Sequence, residues 1–379
     1  MTRLLDFDME RWQSTYENHV ACNLSESGVH PVALNELLEL GNARTLLGTP
    51  LGYGQSNGTD ELRAHIAALY PGAGSENVVV TNGSAEANFV ALWHLVEPSD
   101  EVVVILPSYM QSVGLIDSLR GRVRAVWLRE ADGWQPAPDE IEAAVNERTR
   151  MIVVTNPNNP TGAVLRDRAR TAIVQAADRV GAWILADEVY TGAEIDGPET
   201  TSFWQPDARV IATGSLSKAY GLPGLRIGWT VAPAELSERM WARKDYTTIS
   251  PGQLTDRLAC VALHADVRPQ LLARTRSFIR NGLAVLEEWL HQEGGFHYHR
   301  PAAGALLYAR YELPVDSLQL AERLRREQSL LIVPGAHFEM ANYLRFGFGL
   351  PPAELSAALH RFSACIGQIS ARNKVSAQA

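Results

Sequence analysis

Short apolar runs punctuate the middle of the chain at residues 78–81, 101–106, 151–155, 182–187, 210–213 and 227–231. They are rich in Val and Ile and too short for stable helices. Without strict apolar/polar alternation, each suits a strand covered on both faces. Amphipathic stretches such as 84–96 and 166–180 lie between them and read as helices. The rhythm predicts an α/β fold, with a mainly parallel sheet wrapped by helices.

From about residue 252 the texture changes. Residues 253–288 read as long helical material broken near Arg268-Pro269, followed by strands at 296–298 and 305–311, a helix at 317–328 and a strand at 344–348. This mixture predicts a smaller α+β domain. The first 40 residues have no sheet rhythm of their own and are expected to pack onto it. The expected division is a large domain at 45–255 and a small domain formed by 1–44 and 256–379. The polar tail, 370–379, is expected to fray.

Composition narrows the function classes. The chain has 379 residues, 46% hydrophobic and 20% charged, which fits a globular protein and excludes wholesale disorder. The net charge of −9 disfavours a nucleic-acid surface, which needs clustered Lys and Arg. Cys22, Cys260 and Cys365 are far apart and odd in number, so they suggest neither a disulfide framework nor a metal pair. The first residues, MTRLLDFDMERW, carry acids where a signal peptide needs an apolar stretch, and no run approaches a membrane span. A reducing, cytoplasmic setting is expected.

In an open parallel sheet, ligands bind outside the carboxyl ends of the strands. The segments after the apolar runs are TNGSAEA (81–87), PSY (107–109), NPNNPTG (156–162), ADEVY (186–190) and GSLSKAYGLPGLRIGW (214–229). A lysine in a Ser- and Gly-rich turn is ordinarily solvated. Lys218 differs: it follows a strand, with Ser215 and Ser217 beside it and Arg226 eight residues on. A lysine so placed can form a Schiff base with an aldehyde. Arg226 and the two serines can hold a phosphate, aided by the first free N–H groups of the helix that the Gly83-Ser84 turn leads into. Asp187 could be a helix cap or a carboxylate facing a protonated ring nitrogen. Tyr190 could reach another atom of the same ring. Tyr109 and Asn159 alone would read as packing and turn chemistry. Together they describe a phosphorylated aromatic aldehyde with a basic ring nitrogen. His297 and His299 share a strand face but lack further ligands, so no metal is expected.

These motifs, in order over nearly the whole chain, resemble fold-type I pyridoxal-phosphate enzymes of the class I/II aminotransferase family. The resemblance implies pyridoxal 5'-phosphate on Lys218, with Lys218, Asp187 and Tyr190 as catalytic groups. Asp187 would pair with the ring nitrogen, Tyr190 and Asn159 with its phenolic oxygen, and Tyr109 would stack on the ring. Gly83, Ser84, Ala85, Ser215, Ser217 and Arg226 would surround the phosphate. LRFGFG (344–349) resembles the segment supplying the arginine for the substrate α-carboxylate, here Arg345. SESGVHP (25–31) resembles the substrate-capping segment, with Gly28 as its contact. LGYGQSNGTDELR (51–63) resembles the segment whose tyrosine, here Tyr53, reaches the neighbouring subunit's cofactor, which implies a homodimer. That stretch lacks the preceding strand and glycine spacing of a dinucleotide site.

The resemblance implies transfer of an amino group from an L-α-amino acid to a 2-oxo acid. A narrower similarity, in SLSKAYGLPGLRIGW, KDYTTISP (244–251) and LIVPGAHF (331–338), is to capreomycidine synthase-like enzymes, which cyclise a hydroxylated arginine by β-elimination and addition. That is the alternative. A non-catalytic pyridoxal-phosphate-binding protein is a remote third reading, disfavoured because the lysine and its partners are all present.

Overall fold

The computed structural model describes residues 6–376, with side chains through Ile369. The first five residues of the segment read against a signal peptide lie outside the described residues. So do 377–379 of the tail expected to fray, whereas the helical backbone of Pro352–Ser376 runs well into that tail.

Seven strands make the central sheet: β2 (Val78–Thr81), β3 (Glu101–Leu106), β4 (Arg122–Trp127), β5 (Thr149–Thr155), β6 (Trp183–Asp187), β7 (Val210–Ser215) and β8 (Gly228–Val231), after a short β1 (Cys22–Asn23). Their order is β2-β8-β7-β6-β5-β3-β4, and only β8 runs antiparallel to its neighbours. Strand β4 went unread in the sequence. It is an edge strand whose RVRAVW pattern keeps its arginines toward solvent, so it lacks the apolar signature of its neighbours.

Alternate residues of β3 show why the inner strands are apolar throughout. Val102, Val104 and Leu106 pack with Ala91, Leu92 and Leu95 of the helix Ser84–Leu95. Val103 and Ile105 point the other way, toward Ile173, Ala176 and Ala177 of the helix Asp167–Val180. Each such buried side chain contributes about 1.5–3 kcal/mol, so a polar substitution on either face would be costly.

The smaller sheet has the order β12-β13-β10-β9, from β9 (Phe296–Tyr298), β10 (Leu306–Tyr311), β12 (Val333–Pro334) and β13 (Tyr343–Gly347). Beside it, β11 (Leu330–Leu331) pairs in parallel with β1. The N-terminal segment therefore joins this sheet system, and Trp12 Nε1 donates to the Ile332 carbonyl at 2.9 Å. Gly347 N donates to Leu24 O at 2.7 Å, and a Cβ on Gly347 would lie 1.9 Å from Glu26 O. A glycine there lets residues 24–28 run directly over β13.

The helical material after residue 252 forms Gln253–Leu263 and Arg268–Glu293, separated by a turn. A boundary between 255 and 256 would cut the first turn of the former, which packs against the helix Asp60–Ala67. We propose the lobe boundary at that turn. Among the described residues no helix is long and apolar enough to cross a membrane.

Candidate active site

The sheet register brings the motif segments to one edge. Thr155 and Asp187 are neighbours across β5 and β6, and Thr213 adjoins Asp187 on β7. Because β8 is antiparallel, its start lies where the parallel strands end: Gly228 neighbours both Ser215 and Thr81. The loop carrying Lys218 and Arg226 thus leaves and re-enters the sheet at the same edge. A cavity of about 430 Å³ opens there, between this edge and the N-terminal segment. That size suits a small organic ligand.

One end of the cavity is built for an anion. Gly83 caps the helix Ser84–Leu95 with φ +83° and no side-chain cap, leaving first-turn N–H groups free for a ligand. Ser84, Ala85, Ser217 and Arg226 line the same end. No carboxylate pairs with Arg226 among the described residues; its Nη1 donates to the Pro223 carbonyl at 3.0 Å and lies 3.5 Å from Ser217 Oγ. A Cβ on Gly83 would lie 2.3 Å from Arg226 Nη2, so the guanidinium fills the space a side chain would take.

Asp187 sits deeper, buried at the end of β6. Burial raises its pKa, opposed by Asn88 Nδ2 donating at 2.9 Å and by the Val189 N–H. Asn88 is held in turn, its Oδ1 accepting from Thr213 Oγ1 at 2.9 Å. A buried carboxylate in this state is suited to a cation such as a protonated ring nitrogen.

Lys218 Nζ donates to Glu26 Oε1 at 2.6 Å. Burial works to lower the lysine's pKa, but the Glu26 charge, the Tyr190 phenol and the Glu26 hydrogen bond outweigh it and leave it raised. For Glu26, burial acts upward, while the Lys218 charge and hydrogen bond bring it down to about 2. Tyr190 donates its hydroxyl to Ser27 Oγ at 2.9 Å. Arg345, on β13, is fully buried; its Nη1 donates to Asn159 Oδ1 at 3.0 Å and its Nη2 to the Ser25 carbonyl. Its buried Nε has no hydrogen-bond partner among the described residues.

Tyr109, Asn159, Asp187, Tyr190, Lys218 and Arg345 therefore line one cavity, together with the residues of the anion end. Gly28 stands behind its wall, where a Cβ would lie 3.5 Å from Lys218 Cδ. Ser215 does not line it: the side chain is buried, and its Oγ accepts the Ser217 N–H at 3.1 Å. Tyr53 is 93% exposed and away from the cavity. Sequence reasoning missed Glu26, Ser27, Asn88 and the helix Asp8–Tyr16, whose Met9, Glu10 and Gln13 reach the cavity, with Ser14 and, just past its end, Glu17. Asn88 was detectable as an interior amide in an otherwise apolar helix. The N-terminal contacts follow only from the β1–β11 pairing, which local pattern does not reveal.

The free donors at the helix start, the buried Asp187 and the lysine between them fit pyridoxal 5'-phosphate, and fold and site together define a pyridoxal-phosphate-dependent enzyme. The family model for aminotransferase class I and II matches residues 23–362, and the chain belongs to that family. It is 36% identical over 367 residues to capreomycidine synthase from Streptomyces vinaceus, covering 95% of this chain and 93% of the relative. It is 26% identical over 375 residues to aspartate/prephenate aminotransferase from Thermus thermophilus, covering 93% and 95%. A crystal structure of a PLP-dependent aminotransferase from Streptococcus suis superposes with a TM-score of 0.88 at 31% identity, covering 97% of this chain and 99% of that one.

Proposed function

We propose that the protein is an aminotransferase that moves the amino group of an L-α-amino acid to a 2-oxo acid, acting as a homodimer. The observation that carries this reading is the position of Lys218 in one cavity with Asp187, the anion cradle and Arg345. When bound, pyridoxal phosphate supplies an aldehyde that condenses with amines and a ring that accepts the electron pair released at the substrate Cα.

The chain's own groups do the rest. The helix start, Ser84, Ser217 and Arg226 bind the phosphate and fix the ring's position. Asp187 holds the proton on the ring nitrogen. The Arg345 guanidinium orients the substrate by its α-carboxylate, a bidentate task for which Lys is a poor substitute. The Lys218 amine would take the proton from the substrate Cα and return it to the carbon of the cofactor's aldehyde, on the other side of the nitrogen. Tyr190 orients the reacting groups through its hydroxyl. Tyr53, exposed on this chain, is assigned to the partner's phosphate. The three cysteines are free, which supports a reducing, cytoplasmic setting.

The second reading is the cyclase, supported by 36% identity to capreomycidine synthase against 26% to the aspartate/prephenate aminotransferase. One experiment separates the two. Purified protein loaded with pyridoxal phosphate is given L-amino acids singly while its visible band is followed. Bleaching by a donor and recovery with a 2-oxo acid supports amino transfer. A cyclised product from hydroxylated arginine, without oxo acid, would replace it with the second reading. A protein that stays colourless with pyridoxal phosphate would remove both.

A further inference from the structure

We infer that Lys244 is a positioning residue that acts across the subunit boundary: it sets, on its own chain, the loop whose Tyr53 serves the partner's cofactor. The inference rests on the proposed homodimer and its Tyr53 assignment, and names the group that holds that tyrosine in place. Lys244 is fully enclosed at the C-terminal end of the helix Ala234–Lys244. No carboxylate forms an ion pair with it among the described residues. A buried ammonium without an anion is costly, and burial lowers its pKa.

What the ammonium gains is two main-chain carbonyls from separate loops. Lys244 Nζ donates to Ser56 O at 2.9 Å and to Ile249 O at 2.7 Å. Hydrogen bonds from a charged donor are the stronger class. Trp241, nearly one turn earlier on the helix, adds a third tie, its Nε1 donating to Ser56 Oγ at 2.8 Å. The loop 51–58 is thereby pinned three residues from Tyr53. The second loop, 245–251, is tightly wound: Ile249 holds φ +63°, a conformation that a β-branched residue rarely adopts. Such strain persists only where surrounding contacts impose it, and the Lys244 bond is one of them. Tyr246 and Ile249 on this loop are exposed, as are Leu51 and Tyr53 on the other. The lysine therefore clasps together two loops that both present apolar side chains outward.

The loop 245–251 has another anchor, directed at its own chain. Thr248 Oγ1 donates to Glu86 Oε1 at 2.8 Å and Thr247 Oγ1 donates to the same oxygen. Glu86 lies in the first turn of the helix Ser84–Leu95, whose start faces the phosphate end of the cavity. Two routes thus lead from Lys244 to a phosphate: through Glu86 within one chain, and through Ser56 and Tyr53 to the partner. The Glu86 contacts are exposed and compete with water, so they restrain little. The Lys244 ammonium is enclosed, and its bond to Ser56 holds the second route in place.

Subunit mixing tests the route. Affinity for pyridoxal phosphate is read from the visible band, which reports only sites that contain Lys218. Lys244→Met and Tyr53→Phe homodimers are each expected to bind about tenfold more weakly than wild type. Lys244→Gln keeps one neutral donor and should fall between; it takes the place of Lys244→Met if that variant does not fold. In a hybrid of Lys244→Met with Lys218→Ala, the one site with Lys218 takes its Tyr53 from a subunit whose Lys244 is intact. Affinity there is expected to return to within about twofold of wild type. A hybrid site as weak as that of the Lys244→Met homodimer would confine the effect to one chain and overturn the inference. Wild-type affinity in both Lys244 variants, with Tyr53→Phe weakened, would overturn it too. Full affinity in Tyr53→Phe would instead overturn the cross-subunit assignment, and the inference with it.

Discussion

Glu26 Oε1 sits 2.6 Å from Lys218 Nζ, joining the N-terminal segment to the loop after β7 across 192 residues. The pair stabilises the ammonium form of the lysine, yet attack on an aldehyde requires the free amine. Glu26→Gln removes the charge and keeps the shape. Covalent capture of pyridoxal phosphate by the variant apoprotein is expected to reach half-maximal rate at lower pH than in wild type. Stopped-flow growth of the visible band measures it, and identical pH profiles would refute the coupling.

Arg345→Lys keeps a positive charge and loses the fork. A charged hydrogen bond of this kind contributes about 1.5–3 kcal/mol, so kcat/KM for the amino acid should fall by about 10- to 100-fold. The loss should appear mainly in KM, with the visible band of the loaded variant retained. A variant with unchanged KM would place carboxylate recognition elsewhere.

Gly83→Ala puts a methyl group 2.3 Å from Arg226 Nη2 and forces a non-glycine residue into φ +83°. Displacing the guanidinium and straining the helix start should weaken cofactor affinity by roughly tenfold or more. Equilibrium dialysis against pyridoxal phosphate gives the Kd directly. Wild-type affinity would show that the phosphate is held without this cradle.

Tyr53 and its neighbours Leu47 and Leu51 are 93%, 77% and 81% exposed, an arrangement that suits a subunit contact. Sedimentation should give a dimer for wild type and for Tyr53→Phe, with weaker cofactor binding in the variant. Mixing Tyr53→Phe with Lys218→Ala subunits should form hybrids in which one site combines a wild-type Tyr53 with a wild-type Lys218. Monomers in solution, or full cofactor affinity in Tyr53→Phe, would contradict the cross-subunit assignment.

Glu188, next to Asp187, is wholly enclosed, and burial pushes its carboxyl up to about 7. Its folded pKa is above the unfolded value of 4.5, so the native state holds the proton longer. Its contribution is full below about pH 4.5, declines as pH rises and is lost beyond about 7, with a span of about 3 kcal/mol. Glu188→Gln keeps an acceptor for the Phe203 N–H and cannot ionise. The difference in urea-unfolding stability between variant and wild type should therefore widen in the variant's favour from pH 5 to pH 7.5. A constant difference would show that Glu188 titrates normally.

The central sheet was legible because its inner strands are buried on both faces and carry uninterrupted apolar runs. Strand β4 was not, since an edge strand with RVRAVW mixes the two signals. That Tyr109, Asn159, Asp187, Tyr190, Lys218 and Arg226 would meet was legible because sheet topology brings the loops leaving the parallel strands to a common edge. Glu10, Glu17 and Glu26 were not: their place depends on two residues, Cys22 and Asn23, pairing with Leu330 and Leu331 more than 300 positions away. Ser215 stands between these cases. Its position beside the phosphate motif was readable, but not that its hydroxyl would be used by the Ser217 N–H.

The strap over β13 divides the molecule's labour by chain segment. Apart from Tyr53, assigned to the partner's site, and Arg345 on β13, the groups assigned to the cofactor come from residues 83–226 and the opposite wall from residues 9–28. Exchanging that short stretch between relatives would then retarget the enzyme without rebuilding its chemistry. Diversification of such proteins need not proceed residue by residue around the lysine; it can proceed by grafting an N-terminus.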